Sequence, residues 1–254
     1  MTSAHTDIWS RWEDTRSPSV SARIVELVRA ALFRNKLKPG DMLGSETDLA
    51  RKLGVSRVPV RDAFKSLQAM GIVEVKMGAN GGARIAAGDP TRFADALAVQ
   101  FKLVGMSAEE MFEAEIAVEG SAAVLAADNA TDDDLAALRA ILSELADVAN
   151  DAQAFTRTGL RFHFGVVEAS HNRALIAYER ALIDVLYDAY APQTTPELAR
   201  RVIAKHTQVY RHIAARDGAK ASAAITAHLR QVRGRVLADI HAATSGTQAR
   251  RAAV

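Results

Sequence analysis

"GVSRVPVRDAFKSL", residues 54–67, decides how the first third of this 254-residue chain is read. Gly54 is placed to close one helix and Ser56 to cap the next. Pro59 falls in the first turn of that next helix, where a missing backbone N–H does no harm. Val60, Ala63, Phe64 and Leu67 recur at helical spacing, so that face turns inward. Arg57, Arg61 and Lys65 fall four apart on the outward face. A helix N-terminus already carries partial positive charge. Two arginines there point to an anionic partner. The alternative is a solvated surface helix whose arginines pair with Asp62 or Glu46.

Upstream, "VSARIVELVRAALFRN" predicts a helix from about Ser19 to Arg34, with Ile24, Leu27, Val28, Ala31 and Leu32 on its apolar side. Pro39-Gly40-Asp41 reads as a turn. Ser45 caps a short helix through Leu53, and Asp48 supplies the acidic half of an approximate capping box. Downstream, "GIVEVK" and "ARIAA" read as two short strands joined by "MGANGG", whose glycines and asparagine allow a hairpin. Three helices and a hairpin within 90 residues describe a winged helix-turn-helix. The expected anion is then DNA, with Arg57 and Arg61 at the leading end of the recognition helix, within reach of guanine edges or phosphates.

The charge distribution agrees. Residues 1–86 hold 14 Lys and Arg against 9 Asp and Glu, while the remainder holds 18 against 21. A basic head on a mildly acidic body suits an anionic partner. With no cysteine, neither a disulfide framework nor a thiolate metal site is possible. No apolar run reaches the length of a membrane span, and the polar start "MTSAHTDIWSRWEDTRS" does not read as a signal peptide, so a cytoplasmic location is expected.

Beyond "AGDP" at 87–90 the chain reads as helices alone, ending near Val104, Ala127, Val148, Ala169, Tyr190, Ala215 and Ala243. Ser107 with Glu110, and Thr131 with Asp134, form capping boxes, and Thr195-Pro196 opens a later helix. The expected fold class is mainly α: a winged helix-turn-helix over 1–86 (1–18 flexible), a linker and connecting helix over 87–106, an all-α bundle of six to seven helices over 107–243, and a frayed tail over 244–254. Bundles build sites from facing helices. His206 lies 11 residues before Asp217 and His228 lies 11 after it, so a reversal there sets both at one level. His163 sits on another helix. Three converging histidines could hold a divalent metal such as Zn or Ni; the alternative is a buried histidine satisfied by a hydrogen bond.

The segment "LKPGDMLGSETDLARKLGVSRVPVRDAFKSLQAMGIVEVKMGANGGARI" resembles the DNA-binding domain of the GntR family of bacterial transcription regulators. That resemblance implies operator contacts from Arg57 and Arg61, with Ser56, Val58 and Lys65 beside them and Gly78 at the wing tip. Thr47 stands where the family usually has an arginine, which removes one charged contact. The markers "FH…SHN", "KH…IAARDGAKASAAITAHL" and "VEGSAAVLAADNATDDDLAAL" resemble the FCD ligand-binding domain of the FadR subfamily. Many such domains hold a metal with one Asp and three His. The histidines match His163, His206 and His228, whereas Gly159 stands at the Asp position and Glu115 replaces an arginine that often meets a carboxylate effector.

Two accounts stay open. In one, three histidines keep the metal, with solvent, effector or Glu115 completing the shell; in the other, the cavity binds an organic ligand directly. Glu115 and Glu119 are expected to line the effector cavity, and an unpaired Glu115 there would disfavour a simple carboxylate effector. The function expected is a ligand-responsive regulator, a repressor that binds a palindromic double-stranded operator as a homodimer. A metal-dependent enzyme is the competing class. Against it, H-E-x-x-H, G-x-S-x-G and a phosphate-binding glycine loop are all missing.

Overall fold

The computed structural model describes residues 19–76, 78, 81–186 and 195–252. The chain divides into two compact units, Met1–Asp89 and Pro90–Val254.

In the first unit, α1 (Val20–Phe33), α2 (Glu46–Leu53) and α3 (Arg57–Ala69) pack with a three-stranded antiparallel sheet of β1 (Met42–Gly44), β2 (Val73–Lys76) and β3 (Gly82–Ile85). The strand order is β1-β3-β2. Ile24, Val28, Leu49, Val60, Phe64, Leu67 and Ile85 form its core. Local chemistry punctuates the helices. Ser45 Oγ accepts from Asp48 N–H at 3.1 Å, and Gly54 closes α2 with φ of 66°. Ser56 stands at the N-cap of α3 with extended backbone, but its hydroxyl makes no capping bond.

The sheet has one strand more than the sequence predicts. β1 pairs with β3 through Met42↔Arg84 and Gly44↔Ala83. Three residues are too few for an alternating pattern, so this strand exists only by its long-range pairing. That pairing depends on Gly82. Its φ is 145°, and a Cβ there would stand 2.8 Å from the Gly44 carbonyl oxygen. Gly82→Ala is therefore expected to destabilise this unit by about 1–3 kcal/mol, since a strained φ and a backbone clash coincide. Denaturant unfolding of the variant checks this; an unchanged midpoint would show that the sheet tolerates the side chain.

The described elements of the second unit are all helices: α4 (Pro90–Val104), α5 (Ala108–Asn129), α6 (Asp132–Asp147), α7 (Ala152–Glu168), α8 (Arg173–Leu186), α9 (Pro196–Ala214) and α10 (Gly218–Ala252). Both predicted capping boxes form, Ser107 with Glu110 and Thr131 with Asp134. Thr195 caps α9, with Pro196 in its first turn. The predicted end of α8 near Tyr190 lies outside the described residues. α10 continues through Ala252, beyond the predicted end near Ala243. The backbone of the segment read as a frayed tail is helical there, in keeping with its alanine, glutamine and arginine content.

α5 is the central helix, packed against α7, α8, α9 and α10. Gly120 lets α10 come close: a Cβ at that position would lie 2.7 Å from Thr226 Cγ2. Between α9 and α10 the chain reverses through Arg216, whose guanidinium closes the end of α5 by donating to the carbonyls of Ala127 (3.1 Å) and Ala130 (2.7 Å). No described helix is long and apolar enough to cross a membrane.

Candidate nucleic-acid interface and metal centre

Arg57, in the first turn of α3, and Arg61, one turn on, both point outward and close on Glu46 at the start of α2. Arg57 Nη2 stands 3.5 Å from Glu46 Oε2, and Arg61 Nε stands 3.2 Å from the same oxygen. Both guanidiniums stay about half exposed. An exposed pair of this kind is worth about 0–1 kcal/mol. It orients the arginines at little cost to exchange for a phosphate or a base edge. Ser56, Val58, Lys65 and Thr47 are exposed on the same α2–α3 surface. Gly78, at the turn of the wing, is exposed with φ of 113°, while residues 77, 79 and 80 lie outside the described set.

In the second unit, α7, α9 and α10 bring His163, His206 and His228 together, all buried. The reversal at Asp217 sets His206 and His228 at one level. His206 Nε2 lies 3.2 Å from His228 Nε2 and 3.1 Å from His163 Nε2. Nitrogens bound tetrahedrally at about 2.0–2.1 Å stand roughly 3.3 Å apart, and cis-octahedral ones about 2.9 Å, so these spacings suit a shared ion. The electrostatics of the rings differ. His163 Nδ1 donates to Glu119 Oε2 at 2.6 Å, which turns Nε2 toward the other two rings. Burial pulls down the basicity of His163, but the charge and hydrogen bond of Glu119, with Glu115 behind, carry it above the ordinary range. Burial, then the neighbouring His163 and His228, hold His206 well below it. His228 is pushed down to about 3 by burial first, then by His163 and the cations Arg235 and Lys205. His206 and His228 are therefore neutral imidazoles. Two neutral imidazoles beside a third whose Nδ1 is held by a carboxylate make a set that a divalent cation can satisfy through its Nε2 atoms. Phe162 stacks on His206, ring centroids 4.4 Å apart, and keeps its plane fixed.

A cavity of about 80 Å³ opens beside the imidazoles, walled by Phe155, Gly159, Leu160 and Val202. A Cβ on Gly159 would lie 4.0 Å from His206 Cε1, so Gly159 leaves one side of the imidazole set open. An adjoining hollow shares His228 and Val232 with this cavity and adds Arg201, Lys205 and Arg235.

The carboxylates fall elsewhere than the sequence reading put them. Glu115 and Glu119 are fully buried and line neither hollow. They cluster with Glu179 of α8, and Glu119 reaches the Nδ1 side of His163, away from the ring's Nε2. The reason is the roll of α5, whose Glu115–Glu119 face meets α7 and α8. Glu115 thus stands with the other carboxylates and not as a fourth ligand beside the three Nε2 atoms. The argument against a carboxylate effector, which needed Glu115 in the cavity, loses its basis. Glu179 escaped the sequence reading. Its signal was there: it interrupts the apolar stripe Leu175, Leu182, Leu186 of α8.

Two family profiles match the chain: bacterial regulatory proteins of the gntR family over residues 20–81, and the FCD domain over residues 110–231. The HTH-type transcriptional regulator LutR of Bacillus subtilis (strain 168) is 29% identical over 206 residues, 78% of this chain and 92% of that protein. The galactonate operon transcriptional repressor of Escherichia coli (strain K12) is 29% identical over 189 residues, 69% of this chain and 82% of its own. A further regulatory protein of that strain is 30% identical over 223 residues, 83% of each chain. Among solved structures, Streptococcus agalactiae GntR aligns with a TM-score of 0.54 and 22% identity over 84% of this chain and 99% of that one, a likeness of fold.

Proposed function

We propose a working mode for this chain from the premise that it belongs to the GntR family of bacterial transcription regulators and carries an FCD domain. As a member it is a DNA-binding transcription regulator of the ligand-responsive type, and not an enzyme. The finer reading is a repressor, the sign named for the galactonate operon relative. It binds a palindromic operator as a homodimer, because one short recognition helix makes too few base contacts for specificity alone. Arg57 and Arg61 leave Glu46 to contact the operator, with Ser56, Val58, Lys65, Thr47 and Gly78 around them.

In the second unit, His163, His206 and His228 hold one divalent metal of the Zn or Ni class. Glu119 fixes the tautomer and orientation of His163, and Phe162 fixes His206. When bound, the metal supplies positions open to effector oxygen atoms on the side that Gly159 leaves clear. Arg201, Lys205 and Arg235 draw an anion toward it. The effector class is therefore a small metal-chelating acid, of the hydroxy-acid kind that the name of the galactonate operon relative suggests. Effector and operator are coupled through the segment joining the units, by about 1–3 kcal/mol for a regulator of ordinary response.

The observation that carries this reading is the convergence of three Nε2 atoms on a cavity whose neighbouring hollow is cationic. The test is selection of bound duplexes from a random pool, using metal-loaded full-length protein with and without hydroxy acids. A two-fold repeated half-site, bound about 10³-fold or more above random DNA and released by one of the acids, is expected. Duplexes without dyad symmetry, or binding indifferent to every acid tried, would overturn the corresponding half of the proposal.

A further inference from the structure

Glu115 and Glu119 of α5 and Glu179 of α8 each offer an oxygen within 4.8 Å of the others, and all three side chains are fully buried. Neither oxygen of Glu179 has a hydrogen-bond partner among the described residues, nor has Oε1 of Glu119. A buried carboxylate left unanswered costs several kcal/mol even after relaxation. Two carboxylates with unanswered oxygens, Glu119 and Glu179, gathered with Glu115 for structural reasons alone would be a heavy burden on the packing of α5 against α8. His163 Nδ1 answers only Oε2 of Glu119.

We propose that Glu115, Glu119 and Glu179 form a second cation site, built of oxygen ligands, for a hard divalent ion of the Mn²⁺ or Mg²⁺ class. It lies on the Nδ1 side of His163, opposite the imidazole site. Ions of this class take carboxylate oxygens at about 2.1–2.2 Å, so ligand oxygens stand roughly 3.0 Å apart when adjacent and about 4.3 Å when opposite, within the spread seen here. Glu119 belongs to both centres. Its Oε2 accepts from His163 while its Oε1 has no hydrogen-bond partner among the described residues, so the two ions would share one carboxylate–histidine link. The soft-leaning imidazole set and the hard carboxylate set select different metals, which lets each be loaded separately.

The site shares Glu119 with the imidazole centre but draws its other ligands from different residues, and the test separates the two. Metal-free full-length protein without an affinity tag is dialysed against Zn²⁺, then against Mn²⁺, and both metals are counted. One Mn²⁺ per chain beyond the Zn²⁺ is expected, with a pulsed electron-spin spectrum free of strong ¹⁴N coupling. Glu179→Gln should weaken Mn²⁺ at least about tenfold and keep Zn²⁺, whereas His206→Ala should lose Zn²⁺ and keep Mn²⁺. No Mn²⁺ uptake at millimolar concentration overturns the proposal. So does Mn²⁺ that shows imidazole ¹⁴N coupling, or that survives Glu179→Gln and vanishes with His206→Ala. Should Glu179→Gln fail to fold, the spectrum and stoichiometry of the unsubstituted protein decide by themselves.

Discussion

His206→Ala should leave the protein without a tightly held Zn²⁺ or Ni²⁺ ion, by the largest single effect expected of any substitution in the second unit. His206 Nε2 is the nitrogen that stands beside both others, at 3.1 and 3.2 Å. A four-ligand structural zinc site is worth about 10–16 kcal/mol, so each ligand carries roughly 3–4 kcal/mol, on the order of 100-fold or more in affinity. From a site with three protein ligands, losing one leaves two imidazoles, too few to compete with a chelating buffer. Gly159→Asp should act in the opposite sense. Position 159 precedes His163 by one helical turn, and its Cβ would face His206. A carboxylate there is expected to tighten the ion by about 10–100-fold and to narrow the cavity at the effector's expense. Competition against a chromophoric chelator reads both. Equal affinity in the unsubstituted and His206→Ala proteins would mean that the three imidazoles are a packing cluster.

Arg57→Ala combined with Arg61→Ala should cost about 2–6 kcal/mol of operator binding, from about 1–3 kcal/mol for each arginine that reads a base. Folding should be untouched, because both side chains are exposed and their pairing with Glu46 is an exposed one. The salt dependence separates the two possible roles. An arginine on a base relaxes specificity at one operator position and barely alters the salt slope. An arginine on a phosphate weakens every sequence alike and lowers the slope by about one. Unchanged binding by the double variant would remove α3 as the reading helix and leave its arginines as partners of Glu46 alone.

The winged head was legible because its punctuation is local. Ser45, Gly54 and Pro59 act within a turn of where they stand, and Val60, Ala63, Phe64 and Leu67 state one buried face without reference to the rest of the chain. β1 was not legible, since Met42–Gly44 becomes a strand only by finding β3 some 40 residues on. The same contrast runs through the second unit. The capping boxes at Ser107 and Thr131 mark helix starts by themselves. The equal offsets of His206 and His228 from Asp217 foretell their meeting once a reversal is granted, because helical rise is constant.

What sequence by itself determined here is therefore whatever depends on chain distance: helix starts, inward faces, the levels of facing residues, and the motifs that assign the chain to its family. Tertiary structure alone decided what depends on how one helix is rolled against another. The spacing of Glu115 and Glu119 puts them on one face of α5, but only the packing of α5 on α7 and α8 turned that face behind His163 and brought Glu179 to meet it. Roll is set by the summed contacts of many side chains across an interface, and no short stretch of sequence records that sum.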